Sequence, residues 1–265
     1  MDDLLMRGVD AVMAALPHRP PPPTRLEAAR IISHRGERPT PAVRENTYAA
    51  FDPLRDSGVW GLEFDIRFTA DGVPVVYHDE DLQRVHGRGE RLDQLSQTEL
   101  ASIAPDIPTA AGFVQRYARR FHLMIEIKQE PYPDETAYCR ALMEALGSLE
   151  PGRDFHLMSL HPAMMDRFVD VPESAKISIA RFNIAQISDH VLTRGQAAIG
   201  AHYALLTGRR ARQHLAAGQE LALGFPRSRN SLSREIQRGA NWLFTNEALA
   251  MQQALEQLKA QRPVP

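Results

Sequence analysis

From residue 30 onward, short segments rich in β-branched and apolar residues alternate with helical segments, and this alternation constrains the fold more than any other feature. Eight segments are predicted as strands: RIISH (30–34), GLEFDIRFT (61–69), FHLMIEIK (121–128), DFHLMSL (154–160), KISIA (176–180), AAIGAHYAL (197–205), LALGF (221–225) and NWLFTN (241–246). A helix or loop follows each of them. Parallel strands need a crossover connection, usually a helix, and eight such units close into a (β/α)₈ barrel. The sequence therefore predicts an α/β protein of the TIM-barrel class.

The chain has 265 residues, which is enough for one such barrel of typically about 250 residues. We expect a single barrel domain over residues 25–265. Before it, residues 1–16 have an amphipathic helical pattern, and PHRPPPP (17–23) is a stiff, proline-rich connector. We expect residues 1–24 to pack on the outside of the barrel. The alternative is that they join copies of the chain into a homo-oligomer.

Composition argues against several classes of protein. The net charge of −2 is not that of a general nucleic-acid-binding protein. No apolar run approaches the roughly 20 residues of a transmembrane segment, and the acidic start MDDLLMRG differs from the basic start of a signal peptide. Cys139 is the only cysteine, so no intrachain disulfide forms and a reducing compartment is expected. These features predict a cytoplasmic protein that does not bind nucleic acid in general.

Residues 61–80, GLEFDIRFTADGVPVVYHDE, have the pattern of two alternating strands around an Asp-Gly pair. Such a pair is a strong signal for a β-hairpin. With it as a two-residue loop, His78 lies opposite Asp65 on the preceding strand, and a bulge would shift this register by one residue. The second strand is a hairpin arm, additional to the eight strands of the barrel. Because side chains alternate along a strand, Asp79 is expected on the face opposite His78, where it would orient its loop.

Ionisable side chains gather near the carboxyl ends of the predicted strands, where the active sites of such barrels lie. Glu63 and Asp65 are two residues apart on one strand, so their side chains point the same way. Glu126 and Lys128 repeat this spacing on the next strand. Three carboxylates that face one space raise one another's pKa unless a cation neutralises their charge. Because all the ligands are oxygens, the cation expected here is Mg²⁺ or Ca²⁺. Lys128 indicates that an anion binds beside the metal.

Two histidines complete this set. His34 ends the first strand, and His78 lies on the hairpin arm. Imidazoles titrate near neutral pH and serve as general acid and base. A divalent cation, a lysine and two histidines together suit phosphoryl transfer. A lone histidine at a strand end more often has a structural role, but the joint placement of these residues at one end of the predicted barrel favours an active site.

Six short motifs follow one another in order along the first half of the chain: His34-Arg35-Gly36, Glu45-Asn46-Thr47 with Ala50-Phe51, Glu63-x-Asp65, Thr69-x-Asp71-Gly72, Val75-Val76-x-His78-Asp79 and Glu126-x-Lys128. In these motifs the chain resembles the glycerophosphodiester phosphodiesterase family, a family of TIM barrels within the phospholipase-C-like phosphodiesterases. The resemblance is dense over residues 31–128. It continues more weakly through residues 98–100, 107–109 and 244–246.

The resemblance implies a role for each matched residue. The implied metal ligands are Glu63, Asp65 and Glu126, the acid/base pair is His34 and His78, the phosphate contacts are Arg35 and Lys128, and the residues that order the first loop are Glu45 and Asn46. The implied reaction is the hydrolysis of a glycerophosphodiester to glycerol 3-phosphate and an alcohol. In the family's usual scheme the glycerol 2-hydroxyl attacks phosphorus, and water then opens the cyclic phosphate.

The sequence departs from the family pattern at three places. The loop ERPTPAV (37–43) replaces the usual run of small residues. The insertion after the His-Asp motif is short, so that residues 80–107 are expected to form only a small cap. Near the seventh predicted strand, GFPRSRN (224–230) replaces the frequent Trp-Thr-x-Asn. Arg227 and Arg229 in this segment are predicted to bind the substrate, at a second anionic group.

Two other functions fit the same residues. The first keeps the catalytic groups and changes the diester, to a lysophospholipid or a sugar phosphodiester that suits the altered segment at residues 224–230. The second is a barrel without activity that binds phosphate-containing ligands. Such a protein would lack at least one catalytic group, and every matched position in this chain is intact.

Overall fold

The computed structural model describes residue 8, residues 11–16 and residues 20–261. Its strands are β1 (Arg30–His34), β2 (Gly61–Phe68), β3 (Pro74–Val76), β4 (His122–Ile127), β5 (Phe155–Ser159), β6 (Lys176–Ala180), β7 (Ala198–His202), β8 (Glu220–Gly224) and β9 (Trp242–Thr245). Hydrogen bonds join them in the order β1-β9-β8-β7-β6-β5-β4-β2-β3, and β1 also pairs with β2. Apart from the arm strand β3, the strands therefore form a closed, parallel barrel of eight, which confirms the predicted (β/α)₈ fold.

The helices lie between the strands in the chain. They are α1 (Pro23–Ala28), α2 (Tyr48–Phe51), α3 (Gln83–His86), α4 (Gln97–Ile103), α5 (Ala110–Tyr117), α6 (Glu135–Leu146), α7 (Pro162–Asp166), α8 (Ile184–Arg194), α9 (Gly208–Ala216), α10 (Arg229–Arg238) and α11 (Ala248–Ala260). Capping residues set their ends: the Thr109 side chain accepts from the N–H of Gly112 at the start of α5.

Among the described residues, no helix combines the length and the apolar character needed to cross a membrane.

The chain divides into two compact units. The first unit contains the residues up to His34, residues Leu54–Gly61 and the residues from Ile177 onward. The second unit contains Arg35–Pro53 and Leu62–Lys176.

The second unit has an aromatic core against its strands. The ring of Phe64 on β2 lies 4.3 Å from that of Phe113 on α5, between centroids, and Phe113 lies 4.9 Å from Phe51 on α2. All eight residues of β2 and all six of β4 are buried, as expected for parallel strands that are covered on both faces. Ionisable residues on these two strands are therefore held in a buried, well-packed setting.

The first unit contains a buried polar chain. The ring of His214 on α9 lies between Ser188 Oγ, at 2.9 Å from Nε2, and Gln219 Oε1, at 2.7 Å from Nδ1. The Gln219 amide donates in turn to the carbonyl oxygen of Val191. Each member has a hydrogen-bond partner, so this chain ties α8 to α9 and has a structural role.

The hairpin arm forms where the sequence predicts it, but with a different turn. The N–H of Thr69 donates to the carbonyl oxygen four residues further on. The loop therefore has three residues and ends on Gly72 at φ +76°, which is a common hairpin geometry. The extra loop residue shifts the register by one. The N–H of Tyr77, rather than a group of His78, donates to the carbonyl oxygen of Asp65 at 3.0 Å.

The short cap predicted over residues 80–107 contains α3, a 3₁₀ turn and α4. Its apolar residues form one cluster with the arm: Val75, Tyr77, Leu82, Leu92, Leu100 and Ala104. Ser96 and Glu99 form a capping box at the start of α4. The cap is thus a small folded layer on the hairpin arm.

Residues 11–15 are helical, and most of the helix predicted over residues 1–16 lies outside the described residues. Side chains of α10 contact the end of this helix: Asn230 donates to the carbonyl oxygen of Ala14 at 2.5 Å, and Arg234 donates to that of Met13 at 3.2 Å. A cation beside the last carbonyl groups of a helix is stabilising. The boundary at residue 24 and the role of this segment in self-association stay predictions.

Candidate active site

The loop after β1 has a backbone that few residues adopt. Arg35, Gly36 and Asn46 have positive φ angles of 60°, 84° and 60°. The Arg35 N–H donates to the carbonyl oxygen of Glu63 on β2, and the Asn46 N–H donates to that of Arg35. A Cβ atom on Gly36 would lie 2.5 Å from the Cβ of Ala50. Strained backbone of this kind persists where its surroundings fix it, and it clusters at functional sites.

Three buried carboxylates lie together in the second unit, as the sequence predicts. Glu63, Asp65 and Glu126 each place an oxygen within 4.8 Å of the oxygens of the other two. The three residues are 1%, 0% and 6% exposed. Burial raises the pKa of Glu63 well above its usual range, and the adjacent Asp65 carboxylate raises it further. Such a group needs nearby positive charge to stay ionised.

Lys128 and Arg35 supply two positive charges. The Lys128 Nζ lies 2.5 Å from Glu126 Oε1 and 2.6 Å from Asp65 Oδ1. The Arg35 Nε lies 3.0 Å from Asp65 Oδ2, and the Asn46 amide donates to the same oxygen at 2.7 Å. Burial raises the pKa of Asp65, but Arg35 and Lys128 outweigh this effect and hold that pKa well below its usual range. The predicted phosphate contacts therefore lie directly against the predicted metal ligands.

This donor set fits a divalent cation. Three carboxylates against Lys128 and Arg35 leave one negative charge in a buried space, in agreement with the raised pKa of Glu63. Mg²⁺ and Ca²⁺ bind oxygens at about 2.0–2.6 Å, so two ligand atoms of one ion lie at most about 5 Å apart. The spacing within the group meets this limit. An all-oxygen set suits these hard cations better than Cu²⁺ or Zn²⁺.

The ring of His78 has a carboxylate partner in the next residue. Its Nδ1 lies 2.5 Å from Asp79 Oδ1, which leaves Nε2 as the nitrogen that exchanges a proton. Arg67 on β2 donates from Nε to the carbonyl oxygen of His78 at 2.8 Å, and its Nη1 lies 3.0 Å from Glu130 Oε2. Burial lowers the pKa of His78, which favours the neutral imidazole. Asp79 thus holds the ring of His78, and Arg67 holds its backbone carbonyl group.

The position of Asp79 corrects the expectation from the sequence. Strand alternation would place His78 and Asp79 on opposite faces. The strand β3 ends at Val76, however, so the alternation does not extend to residues 78 and 79. The signal that could have revealed the pair is the adjacency of the two residues in the His-Asp motif.

Arg84 on α3 joins two parts of the site and was missed in the sequence. Its Nε lies 2.6 Å from Asp79 Oδ2, and its Nη2 lies 2.6 Å from Glu45 Oε1. Glu45 also contacts Arg35 at 3.3 Å and Arg38 at 2.7 Å. Glu45 therefore orders the loop after β1, in line with the supporting role expected for it. No motif marks Arg84, because only the folding of the cap brings it to this place.

His34 ends β1 in the first unit. Its Nδ1 lies 2.7 Å from Oδ1 of Asn246, the residue after β9, and its ring centroid lies 4.6 Å from that of Phe225. An amide oxygen accepts a hydrogen bond, so Nδ1 carries the hydrogen and Nε2 is the basic nitrogen. Asn246 belongs to the weak motif at residues 244–246, from which no role could be read.

Arg227 and Arg229 follow β8 in the first unit. Arg229 is the first residue of α10, and its Nη2 donates to Oε1 of Gln261 at the end of α11. That contact is structural. The substrate contacts predicted for Arg227 and Arg229 stay predictions.

Comparison with known proteins agrees with the matched motifs. Residues 34–150 match the family described as "Glycerophosphoryl diester phosphodiesterase family". Over 74 residues, or 28% of this chain, the sequence is 39% identical to glycerophosphodiester phosphodiesterase 1 of Rattus norvegicus. That match covers only 22% of the length of the rat protein.

Solved structures share the fold. A glycerophosphodiester phosphodiesterase from Parabacteroides distasonis ATCC 8503 has a TM-score of 0.73 at 20% identity, over 88% of this chain and 99% of that one. An Oleispira antarctica phosphodiesterase in complex with the product sn-glycerol-3-phosphate has a TM-score of 0.71 at 18% identity, over 86% and 96%. At these identities the likeness shows the fold alone. The sequence match over residues 34–150 includes both histidines, the three carboxylates and Lys128, and it supports a similarity of this segment to the glycerophosphoryl diester phosphodiesterase family.

Proposed function

We propose that this protein hydrolyses glycerophosphodiesters to glycerol 3-phosphate and an alcohol with a divalent cation, Mg²⁺ or Ca²⁺, as cofactor. The observation that carries the proposal is the buried group of Glu63, Asp65 and Glu126 with Lys128 and Arg35 against it. Positive side chains and a cation around one space suit a phosphate diester, whose transition state spreads negative charge over oxygen. The names of the rat and Parabacteroides relatives support the substrate class.

The three carboxylates would hold the ion, which when bound polarises a phosphoryl oxygen and offsets the charge that develops on it. Arg35 and Lys128 bind the phosphate oxygens. A guanidinium group can donate to two oxygens at once, whereas an ammonium group acts as a point charge. Both side chains already contact Asp65, and the Asn46 amide donates to the same Asp65 oxygen, Oδ2, that Arg35 contacts. Arg35 and Lys128 are therefore oriented before the substrate arrives.

His34 and His78 move the protons. In the first step the glycerol 2-hydroxyl attacks phosphorus, one imidazole accepts the hydroxyl proton, and the other donates a proton to the alcohol oxygen as its bond to phosphorus breaks. The products are a cyclic phosphate and the free alcohol. In the second step water attacks phosphorus with the roles reversed, and the ring opens to glycerol 3-phosphate. Each Nδ1 has an oxygen partner, Asn246 or Asp79, so Nε2 is the exchanging atom.

A panel of diesters tests the proposal. Protein treated with EDTA is supplied with Mg²⁺ or Ca²⁺ and incubated with glycerophosphodiesters, a lysophospholipid and a sugar phosphodiester, and both glycerol 3-phosphate and free alcohol are measured. We expect metal-dependent release of glycerol 3-phosphate, and a loss in kcat of about 100-fold or more in His34→Ala and in His78→Ala. Hydrolysis of only the lysophospholipid or the sugar diester would contradict the substrate class. Full activity in both histidine variants would contradict their roles.

A further inference from the structure

A groove of about 410 Å³ opens in the second unit between the loop after β1 and the short helix α3. Prolines and valines form part of its walls, and its charged lining consists of Arg38, Arg44, Glu45 and Arg84. Most of this lining comes from the loop over residues 37–43, where the sequence departs from the usual pattern of the family.

Positive charge exceeds negative charge at the base of this groove. The guanidinium groups of Arg35, Arg38 and Arg84 all lie within 3.3 Å of the single carboxylate of Glu45. Glu45 is buried, with 8% of its side chain exposed, whereas Arg38 and Arg84 expose 29% and 53% of theirs. Each guanidinium has five N–H donors, and a carboxylate offers only two oxygens. The three arginines can therefore bind a further anion at their exposed side.

Arg44 is the third guanidinium group of the lining, beside Arg38 and Arg84. It pairs at 3.0 Å with Asp106, whose other oxygen lies 3.1 Å from Nε2 of His86. The lining itself therefore contains three guanidinium groups and one carboxylate, that of Glu45, whereas Asp79 and Asp106 pair with Arg84 and Arg44 from outside it. Within the lining, positive side chains outnumber the single negative one, which favours an anionic group and disfavours a cationic one.

Arg35 and Arg84 connect the groove to the proposed reacting groups. Arg35 contacts Glu45 in the groove and Asp65 in the acidic group. Arg84 contacts Glu45 and also Asp79, the partner of the His78 ring. A diester whose phosphate lies at Arg35 would extend one of its two arms over Glu45 and into the groove.

We propose that this groove binds the alcohol portion of the diester and selects alcohols that carry an anionic group, a phosphate monoester or a carboxylate. The inference rests on the proposed hydrolysis of glycerophosphodiesters. Arg38, Arg44 and Arg84 donate charge-assisted hydrogen bonds to the anionic group, and such bonds are about twice as strong as neutral ones. A quaternary ammonium such as choline meets the same guanidinium groups and is disfavoured.

Two matched pairs of substrates test this selectivity. Glycerophosphoserine and glycerophosphoethanolamine differ by one carboxylate, and glycerophosphoglycerol with and without a terminal phosphate differ by one phosphate. The measured quantity is the ratio of kcat/KM for the anionic member to that for its partner. We expect a ratio of at least about 10 in one or both pairs, and a fall of about tenfold in Arg38→Gln and in Arg44→Gln. The pair that shows the preference identifies the anionic group.

Arg88→Gln is the matched control, because Arg88 is an exposed arginine of the same cap that pairs with Glu90 outside the groove. It should keep the wild-type ratio. A ratio near 1 in the wild-type protein would overturn the inference, and so would a ratio that falls in Arg227→Gln or Arg229→Gln but not in Arg38→Gln and Arg44→Gln. Hydrolysis of the neutral diesters without any preference contradicts the groove alone. A lack of hydrolysis of all four diesters contradicts the proposed function and, with it, the groove.

Discussion

Nδ1 of His78 lies 2.5 Å from Oδ1 of Asp79, and the other carboxylate oxygen of Asp79 accepts from Arg84 at 2.6 Å. A carboxylate on Nδ1 fixes the tautomer and the orientation of an imidazole, and it stabilises the imidazolium form. In the proposed mechanism, Asp79 would therefore act on the reaction through His78. The cap residue Arg84 in turn holds Asp79, so the folding of the cap contributes to the site.

Replacing Asp79 should slow the reaction without unfolding the protein. We expect Asp79→Ala to lower kcat by about tenfold or more, because outer partners of catalytic groups are typically worth about 10–100-fold. The Asp79 carboxylate raises the pKa of His78. In Asp79→Asn the pKa of His78 is therefore lower, and the acidic limb of kcat/KM should move to lower pH. Asp93→Asn removes an exposed carboxylate paired with Arg91 and is the control. An unchanged kcat and pH profile in both Asp79 variants would contradict this role.

Gly36 should be among the residues that the fold tolerates least when changed. At φ +84°, an added Cβ would lie 2.5 Å from the Cβ of Ala50 and 2.8 Å from its carbonyl carbon. Gly195 has a similar φ of +68° with no atom near the added Cβ, so it measures the backbone cost alone. We expect Gly195→Ala to lower the free energy of unfolding by about 1–2 kcal/mol. Gly36→Ala should cost about 1–3 kcal/mol more, because backbone must move. Urea denaturation measures the unfolding free energy of both variants. An equal loss in Gly36→Ala and Gly195→Ala would contradict the prediction, because it would mean that the contact with Ala50 adds no cost.

A pair of buried histidines should make the protein sensitive to acid. His122 Nδ1 donates to the carbonyl oxygen of Arg153 at 3.1 Å, and His122 Nε2 then accepts from His156 Nδ1 at 2.7 Å. Burial lowers the pKa of His122 to about 4, and burial together with His122 lowers that of His156 to about 3. Both values lie below the unfolded value of 6.5, so the unfolded chain binds more protons as the pH falls.

The stabilisation from neutral His122 and His156 is complete above pH 6.5 and is lost as the pH falls toward about 4. We expect a loss of about 1.4 kcal/mol per pH unit for each histidine over this range. The variant His156→Leu should show a shallower dependence of its unfolding free energy on pH. His161→Gln, which changes an exposed histidine, is the control. A slope in His156→Leu equal to that of the wild-type protein would contradict the assignment.

Much of the fold follows from local pattern. The segment RIISH predicts β1 with the observed bounds, because its two β-branched isoleucines favour a strand, and its three central residues are buried. The i, i+2 spacing of Glu63 and Asp65 likewise predicts that both carboxylates face one side, since strand geometry alone determines it. The observed register of the hairpin differs by one residue from that of a two-residue loop, which is the shift expected for a bulge. An Asp-Gly pair fits both two-residue and three-residue loops, and only the hydrogen bond of Thr69 distinguishes them.

Arg84 and Asn246 were not predicted as site residues, because their positions depend on contacts between segments that are distant in the sequence. Arg84 reaches Glu45 across 39 positions of sequence, and Asn246 reaches His34 across 212. No spacing rule connects such residues, because the folded chain alone brings them together. Asp79 was missed for a different reason: the strand ends before it, so that the rule of alternation no longer applies.

The central claim is that Glu63, Asp65 and Glu126 hold a divalent cation on which diester hydrolysis depends. The most direct measurement is calorimetric binding of Mg²⁺ and Ca²⁺ to EDTA-treated protein, together with release of glycerol 3-phosphate, for the wild-type protein, Glu63→Gln and the exposed control Glu144→Gln. We predict binding and metal-restored activity in the wild-type protein and in Glu144→Gln. Glu63→Gln should lose both while unfolding at the same urea concentration as the metal-free wild type. Metal binding retained in Glu63→Gln, or full activity in the metal-free wild-type protein, would contradict the claim.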